Sequence, residues 1–317
     1  MASSQVEVIQ YLVDTRNLWP AATQTGDLET EASRALALLT QDERTKVLKY
    51  YFVADAKMAL TSHLLKHWVV SKSCGVRWRE TKLSADANGK PVFKDSEGRQ
   101  PVVFNVSHQA GLVALVAATN AGGDCSGIQI GVDVVCVNER QTRDHRMIRA
   151  EGWPRFVDMH ADVFGRSEAT YLKTGVDGRP AYLALRSEDE KRDWKLRAFY
   201  TLWCLREAYV KMTGEALLAA WLGDLEFRAF EPPNPGAEFM QSEDDEGRGM
   251  VVREFDVVFH GKKVEDANIC IRSLGTDYMT CTAVRTPQRK EDALGWHLGP
   301  FEFLAFEEIV ALGEATA

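Results

Sequence analysis

Trp203, Glu207 and Lys211 recur at intervals of four in the segment Trp203-Cys204-Leu205-Arg206-Glu207-Ala208-Tyr209-Val210-Lys211. Read as a helix, positions four apart stay within about 40° of each other, so these three side chains share one stripe. It aligns an apolar anchor, a carboxylate and an ammonium, where a purely structural stripe needs only the first. The carboxylate can accept a proton or hold a cation, and the ammonium can neutralise phosphate. A second carboxylate, Asp133, stands in the apolar run Ile128-Gln129-Ile130-Gly131-Val132-Asp133-Val134-Val135-Cys136-Val137. The two-residue strand period turns Ile130, Val132 and Val134 one way, and Asp133, Val135 and Val137 the other. A carboxylate between valines is costly to desolvate unless something positive meets it. A structural salt bridge or strand-end hydrogen bond is one reading. A metal ligand is the other: magnesium often takes only one or two protein carboxylates, with waters and substrate phosphates completing its octahedron. Asp133 and Glu207 suit so sparse a site.

Ser107-His108-Gln109-Ala110-Gly111 reads as a loop between two strands. His108 is either a hydrogen-bonding loop residue or a phosphate contact. The adjacent Ser107 does not make a triad, because a neighbouring pair seldom aims Oγ at its own imidazole, and no Gly-x-Ser-x-Gly elbow is present. His63 and His67 stand at i and i+4, but His63-Leu64-Leu65-Lys66-His67 lacks the glutamate of a metalloprotease helix. The sequence has neither a Gly-x-Gly-x-x-Gly after a strand nor a Walker loop.

These residues need elements to position them. Val6–Val13 reads as a strand closed by Trp19-Pro20, and Leu28–Leu39 as a helix. Thr40-Gln41-Asp42-Glu43 has the capping-box signature of a helix start. The stretch 41–72 then reads as one long helix or two shorter ones, its polar face carrying Lys46, Lys49, Lys57 and Lys66. That face is either solvated or in contact with phosphates. Asp86–Pro91 is a turn, Val102–Asn105 a short strand and Leu112–Ala118 a buried one. Residues 139–200 read as helical in pieces around a Gly175–Pro180 turn. The Pro-, Gly- and acid-rich stretch 231–250 reads as an exposed, mobile loop. Leu225–Phe230, Arg253–Phe259, Ala267–Leu274 and Tyr278–Val284 read as antiparallel strands. Strands and helices mixed without βαβ regularity predict an α+β fold.

The chain of 317 residues is 45% hydrophobic and 26% charged, ordinary for a globular protein. Its net charge of −8 and the lack of a long Lys/Arg run exclude a general nucleic-acid binder. There is no apolar leader segment and no apolar run long enough for a membrane span. The 6 cysteines include no C-x-x-C pair, so reduced thiols in the cytoplasm are expected.

Taken in order, Gly89-Lys90-Pro91, Phe104-Asn105-Val106-Ser107-His108-Gln109, Gly131-Val132-Asp133-Val134 and Trp203–Lys211 resemble the 4′-phosphopantetheinyl transferases, in the larger, monomeric, surfactin-synthetase-activating form and its eukaryotic-like variant. The resemblance spans about residues 40–215. It implies two similar α+β lobes related by a pseudo-two-fold, 1–126 and 127–317, with the last residues packing back on the first lobe and coenzyme A in the cleft. It also implies transfer of phosphopantetheine from coenzyme A to a serine of apo acyl or peptidyl carrier proteins, with release of adenosine 3′,5′-bisphosphate. Such carriers serve fatty acid, polyketide, nonribosomal peptide or lysine (aminoadipate) pathways. By the same resemblance, Asp133 and Glu207 hold Mg²⁺, or Mn²⁺ in its place, Glu207 accepts the serine proton and Lys211 steadies the pyrophosphate. Lys46, Arg79, Lys90, Ser107 and His108 meet coenzyme A, with His108 on the 3′-phosphate. One position departs from the pattern: many bacterial members carry a second acid two residues after the aspartate, where this chain has Val135. Gln109 is expected to compensate as a metal ligand. A non-catalytic coenzyme A or carrier-binding module on the same fold, and a metal-dependent phosphohydrolase, remain the alternatives.

Overall fold

A computed structural model describes residues 6–120, 123–178, 184, 187–215, 219 and 221–317. The same arrangement occurs twice along the chain. In the first half, the strand Glu7–Asp14 is followed by the helix Val53–Cys74 and the hairpin Val102–Gln109/Leu112–Thr119. The opening strand pairs antiparallel with the second hairpin strand, from Glu7↔Thr119 to Asp14↔Leu112. In the second half, Gln129–Cys136 is followed by the helix Glu188–Thr213 and the hairpin Ala267–Leu274/Tyr278–Arg285. Again the opening strand pairs with the second hairpin strand, from Gln129↔Arg285 to Cys136↔Tyr278. These are two similar α+β lobes of the pseudo-two-fold kind that the resemblance implies.

The lobes stack as helix, sheet, sheet, helix. Val113, Leu115 and Ala117 face the helix Val53–Cys74. Their neighbours Leu112, Ala114, Val116 and Ala118 face the other sheet, against Ile130, Val132, Val134 and Cys136. Val135, Met279 and Cys281 face the helix Glu188–Thr213. Because both faces are covered, the strand Leu112–Thr119 is apolar at nearly every position instead of alternating. The chain end crosses back to the first lobe. Glu302–Phe303 pairs parallel with Tyr11–Leu12, and Leu312 and the helix Phe306–Ala315 pack against the first core.

Local signals place the helices. Thr40 and Glu43 form the expected box: the Glu43 amide donates to Thr40 Oγ1 and the Thr40 amide to Glu43 Oε2 at 3.0 Å. The stretch that follows is two helices, Gln41–Leu48 and Val53–Cys74, the second ended by Gly75 at φ +64°. Its supposedly polar face is only partly so, since Lys57 is buried and donates to the Trp19 carbonyl at 3.1 Å. Ser187 and Glu190 cap the helix Glu188–Thr213, and Gly214 at φ +82° closes it. The expected helix Leu28–Leu39 breaks at Ala32 into two short segments.

Two expectations are corrected. Ser107, His108 and Gln109 are not in a loop; the strand runs through Gln109. The chain reverses on Ala110 and Gly111 alone, at φ +48° and +88°, the left-handed pair that a two-residue hairpin turn requires. The stretch 231–250 is not loose either. Arg197, buried, donates to the carbonyls of Pro233 and Thr276 and to Ser273 Oγ, and Ser273 Oγ donates to the Asn234 carbonyl. Gln241 ties Thr280 Oγ1 to the amide of Phe301. Prolines and acids remove secondary structure here, but side-chain bonds fasten the segment to the sheet. Of the Gly175–Pro180 turn, Gly175–Gly178 is helical; Arg179 and Pro180 lie outside the described residues.

Candidate active site

The strands Val102–Gln109 and Gln129–Cys136 are the edges of their sheets and lie side by side. Side chains bridge them. Asn105 Oδ1 accepts from the Val132 amide at 2.9 Å, and Ser107 Oγ donates to Asp133 Oδ1 at 2.8 Å. Edge groups that would otherwise be buried unpaired are thereby satisfied.

Gly131 lets the helix reach this edge. A Cβ there would stand 2.1 Å from the Ala208 carbonyl oxygen and 2.4 Å from the Met212 nitrogen. The helix backbone therefore crosses the strand in contact with it, one strand period from Asp133. Glu207 and Lys211, a turn apart, flank that crossing. Lys211 Nζ donates to Asp133 Oδ1 at 2.7 Å and to Ser107 Oγ at 2.8 Å. Ser107, Asp133 and Lys211 thus close a triangle in which Asp133 Oδ1 is doubly engaged, and no donor meets Oδ2 among the described residues.

Glu207 has no ion-pair partner among the described residues. No hydrogen-bond donor reaches its carboxylate among the described residues. Burial, then the negative charge of Asp133, push its pKa up to about 7, against the pull of Lys211. Burial works against a charged Lys211, but Asp133 and Glu207 outweigh it and raise its pKa. A carboxyl near neutrality is suited to taking up a proton. Two carboxylates with free oxygens and mutual repulsion also suit a hard divalent cation. Among the described residues no group of three or more His, Cys, Asp or Glu side chains gathers as a metal site. Asp133 and Glu207 are a pair, and the remaining ligands would come from elsewhere.

The other expected residues divide. Lys46 and Arg79 line one open cavity of about 770 Å³, together with Lys66, Lys82, His63 and Trp78. Its one acidic side chain, Glu43, is spoken for. His63 Nδ1 and His67 Nε2 meet Glu43 Oε1 at 3.3 and 3.0 Å. Though burial opposes it, hydrogen bonds from the two imidazoles hold the Glu43 carboxyl well below its usual value. The cavity is left strongly cationic, fit for phosphate. Gly89 and Pro91 border it, but Lys90 turns the other way. Lys90 Nζ donates to the carbonyls of Ile130 at 2.8 Å and Lys211 at 3.3 Å, fastening the first lobe to the strand and to the last turn of the helix. Burial lowers its pKa to about 8. Ser107 bonds Asp133, as described. His108, on the opposite face of the strand, is exposed; the surrounding protein, then Lys211 and Lys66, lower its pKa. Gln109 Nε2 donates to Glu139 Oε2 at 2.6 Å.

This organisation agrees with the comparisons. The family model described as 4′-phosphopantetheinyl transferase, N-terminal, matches residues 27–120, and that of the 4′-phosphopantetheinyl transferase superfamily matches 129–255. A 4′-phosphopantetheinyl transferase 1 of Fusarium mangiferae is 45% identical over 316 residues, covering 100% of this chain and 98% of the relative. The chain belongs to the 4′-phosphopantetheinyl transferase family. A 4′-phosphopantetheinyl transferase of Aureobasidium melanogenum is 37% identical, over 87% of this chain and 90% of the relative. An L-aminoadipate-semialdehyde dehydrogenase-phosphopantetheinyl transferase of Schizosaccharomyces pombe is 36% identical over 67% of this chain and 70% of its own. This phosphopantetheinyl transferase is an enzyme, and among its described residues no helix is long and apolar enough to cross a membrane.

Within the transferase's nine-residue helical segment, Arg206 has a separate duty that the motif does not reveal. It is buried and donates to Glu168 Oε2 and to the Leu225 carbonyl, each at 2.7 Å, and to the carbonyl of Leu222. Glu168, equally buried, also accepts from the amides of Gly165 and Phe227. This clamp holds the segments around the helix. Asn105, named only as part of a strand and of a matched segment, and Lys82 have no role assigned from the sequence. Asn105 stands two residues before Ser107, and the strand period could have placed both on one face.

Proposed function

We propose that this transferase moves the 4′-phosphopantetheine group of coenzyme A to a serine of an apo carrier protein. The meeting of Glu207, Lys211 and Asp133 at the seam of two lobes, beside a cationic cavity, carries this reading. The serine Oγ attacks the β-phosphorus of the pyrophosphate, the bond to the bridging oxygen breaks, and adenosine 3′,5′-bisphosphate leaves. Glu207, one helical turn from Lys211, receives the serine proton. Lys211, beside Asp133, offsets charge on the pyrophosphate. Asp133 and Glu207 would hold a Mg²⁺ or Mn²⁺, which supplies charge neutralisation to the phosphates. Lys46 and Arg79, with Lys66, meet the nucleotide phosphates, and His108 approaches the 3′-phosphate. In this reading Lys90 acts from behind, by fixing the helix end.

The reading extends to the larger, surfactin-synthetase-activating type, with lobes divided at 126/127, acting as a cytoplasmic monomer. Its acceptors are carrier domains of polyketide, nonribosomal peptide and aminoadipate pathways. The test is mass spectrometry of apo carrier proteins incubated with the protein, coenzyme A and Mg²⁺. A gain of one phosphopantetheine supports it. No gain across carriers of all three classes, with coenzyme A still bound, would leave a binding module.

A further inference from the structure

Three side chains of Val102–Gln109 keep step with the neighbouring strand edge. Asn105 bonds Val132 and Ser107 bonds Asp133. Gln109, the next on that face, shares the wall of a 340 Å³ cavity with Val135 and Trp203. Gln109 therefore borders the same cavity as Val135, the residue two along the strand from Asp133. Its orientation is decided by one contact: Nε2 donates to Glu139 Oε2 at 2.6 Å. A carboxylate only accepts, so it selects the amino end of the carboxamide and turns the carbonyl oxygen the other way. Among the described residues no donor meets that oxygen. Glu139 itself sits in a turn closed by the bond from the Gln141 amide to the Asn138 carbonyl, 3.1 Å.

We propose that Glu139 is a positioning residue of the cation site. It locks the Gln109 carboxamide so that its carbonyl oxygen is presented toward Asp133 and Glu207. This rests on the transferase reading above. An exposed hydrogen bond of this kind adds little to stability, so its removal should be felt in metal binding and hardly in folding.

The experiment is a Mn²⁺ titration of the full chain saturated with coenzyme A, following free Mn²⁺ by electron paramagnetic resonance, which needs no turnover. Gln109→Ala should weaken Mn²⁺ binding about tenfold, and Glu139→Ala nearly as much, in the range seen for residues that orient a ligand. Glu139→Gln, whose carbonyl can still accept the amide N–H, should recover most of the affinity. The double variant Q109A/E139A should bind no more weakly than Q109A. Mn²⁺ affinity of Glu139→Ala within about twofold of wild type, or losses that multiply in the double variant, would overturn the proposal. Coenzyme A-loaded wild type that binds no Mn²⁺ would remove the metal reading of Asp133 and Glu207, and this proposal with it.

Discussion

Lys211 and Asp133, 78 residues apart, meet at 2.7 Å, Nζ to Oδ1, with Asp133 only 5% exposed. One ion pair therefore fastens the helix that carries Glu207 to the strand edge between the lobes. Lys211→Met would leave a buried carboxylate uncompensated, at a cost of about 3 kcal/mol. Asp133→Asn should cost less, because the amide still accepts from Ser107. In a double-mutant cycle by urea unfolding, the pair should show a coupling of about 1–3 kcal/mol. Additive losses would mean that the ion pair contributes nothing to the helix position. Both single variants should lose transferase activity by more than about a hundredfold.

Glu207 makes the metal-free protein sensitive to pH. Its folded pKa of about 7 lies above the ordinary 4.5. Below the lower value both states hold the proton and there is no penalty. As pH rises between the two, the unfolded chain has released a proton that the folded one retains, so stability falls, and the loss is complete above about 7. With solvent screening the fall should be about 1–2 kcal/mol. Urea midpoints measured without metal should decline from about pH 5 to 8 in the wild type. Glu207→Gln should flatten that decline; an equal slope in the variant would assign it to another group.

Gly131→Ala probes the helix–strand crossing. The added methyl would lie 2.1 Å from the Ala208 oxygen, a backbone atom that cannot rotate away. A loss of about 2–3 kcal/mol is expected, as for overpacking elsewhere. Because the displaced helix carries both Glu207 and Lys211, kcat should fall even in protein that remains folded. Unchanged kcat at 20 °C would show that the site tolerates the shift.

Arg206 and Glu168 test a purely structural member of the motif. Removing one partner, as in Arg206→Met or Glu168→Gln, should destabilise by about 3–5 kcal/mol. Turnover per folded molecule should hold, since neither group faces the seam. Activity lost in proportion beyond unfolding would place Arg206 in the chemistry.

His108→Ala should raise the KM for coenzyme A about tenfold and that for its 3′-dephospho form much less. Equal effects on both substrates would refute contact with the 3′-phosphate.

Much of this fold is written in short-range pattern. The capping box at Thr40 and Glu43, the strand period through Asp133 and the stripe from Trp203 to Lys211 depend on neighbours within a turn or two. Backbone geometry alone sets those relations. The hairpin turn was harder. Ala110-Gly111 lacks the Asn-Gly signature, so the sequence pattern ends the strand before Ser107 and hides the shared facing of Ser107 and Gln109. Prolines and acids mislead in 231–250, where the anchoring groups come from distant elements: Arg197 from the helix Glu188–Thr213, Ser273 and Thr280 from two strands.

The sequence by itself determined that a carboxylate and an ammonium share one helical face and that Asp133 sits on a strand beside Val135. Only the tertiary structure decided which charges meet. It put Lys211 on Asp133 and turned Lys90 from the cationic cavity to the carbonyls of Ile130 and Lys211. It also left Glu207 without a hydrogen-bond partner among the described residues and handed Gln109 to Glu139. Helical and strand periods say which way a side chain points; what it meets depends on how closely the elements pack, and the approach of the helix Glu188–Thr213 to the strand of Asp133 is set here by Gly131.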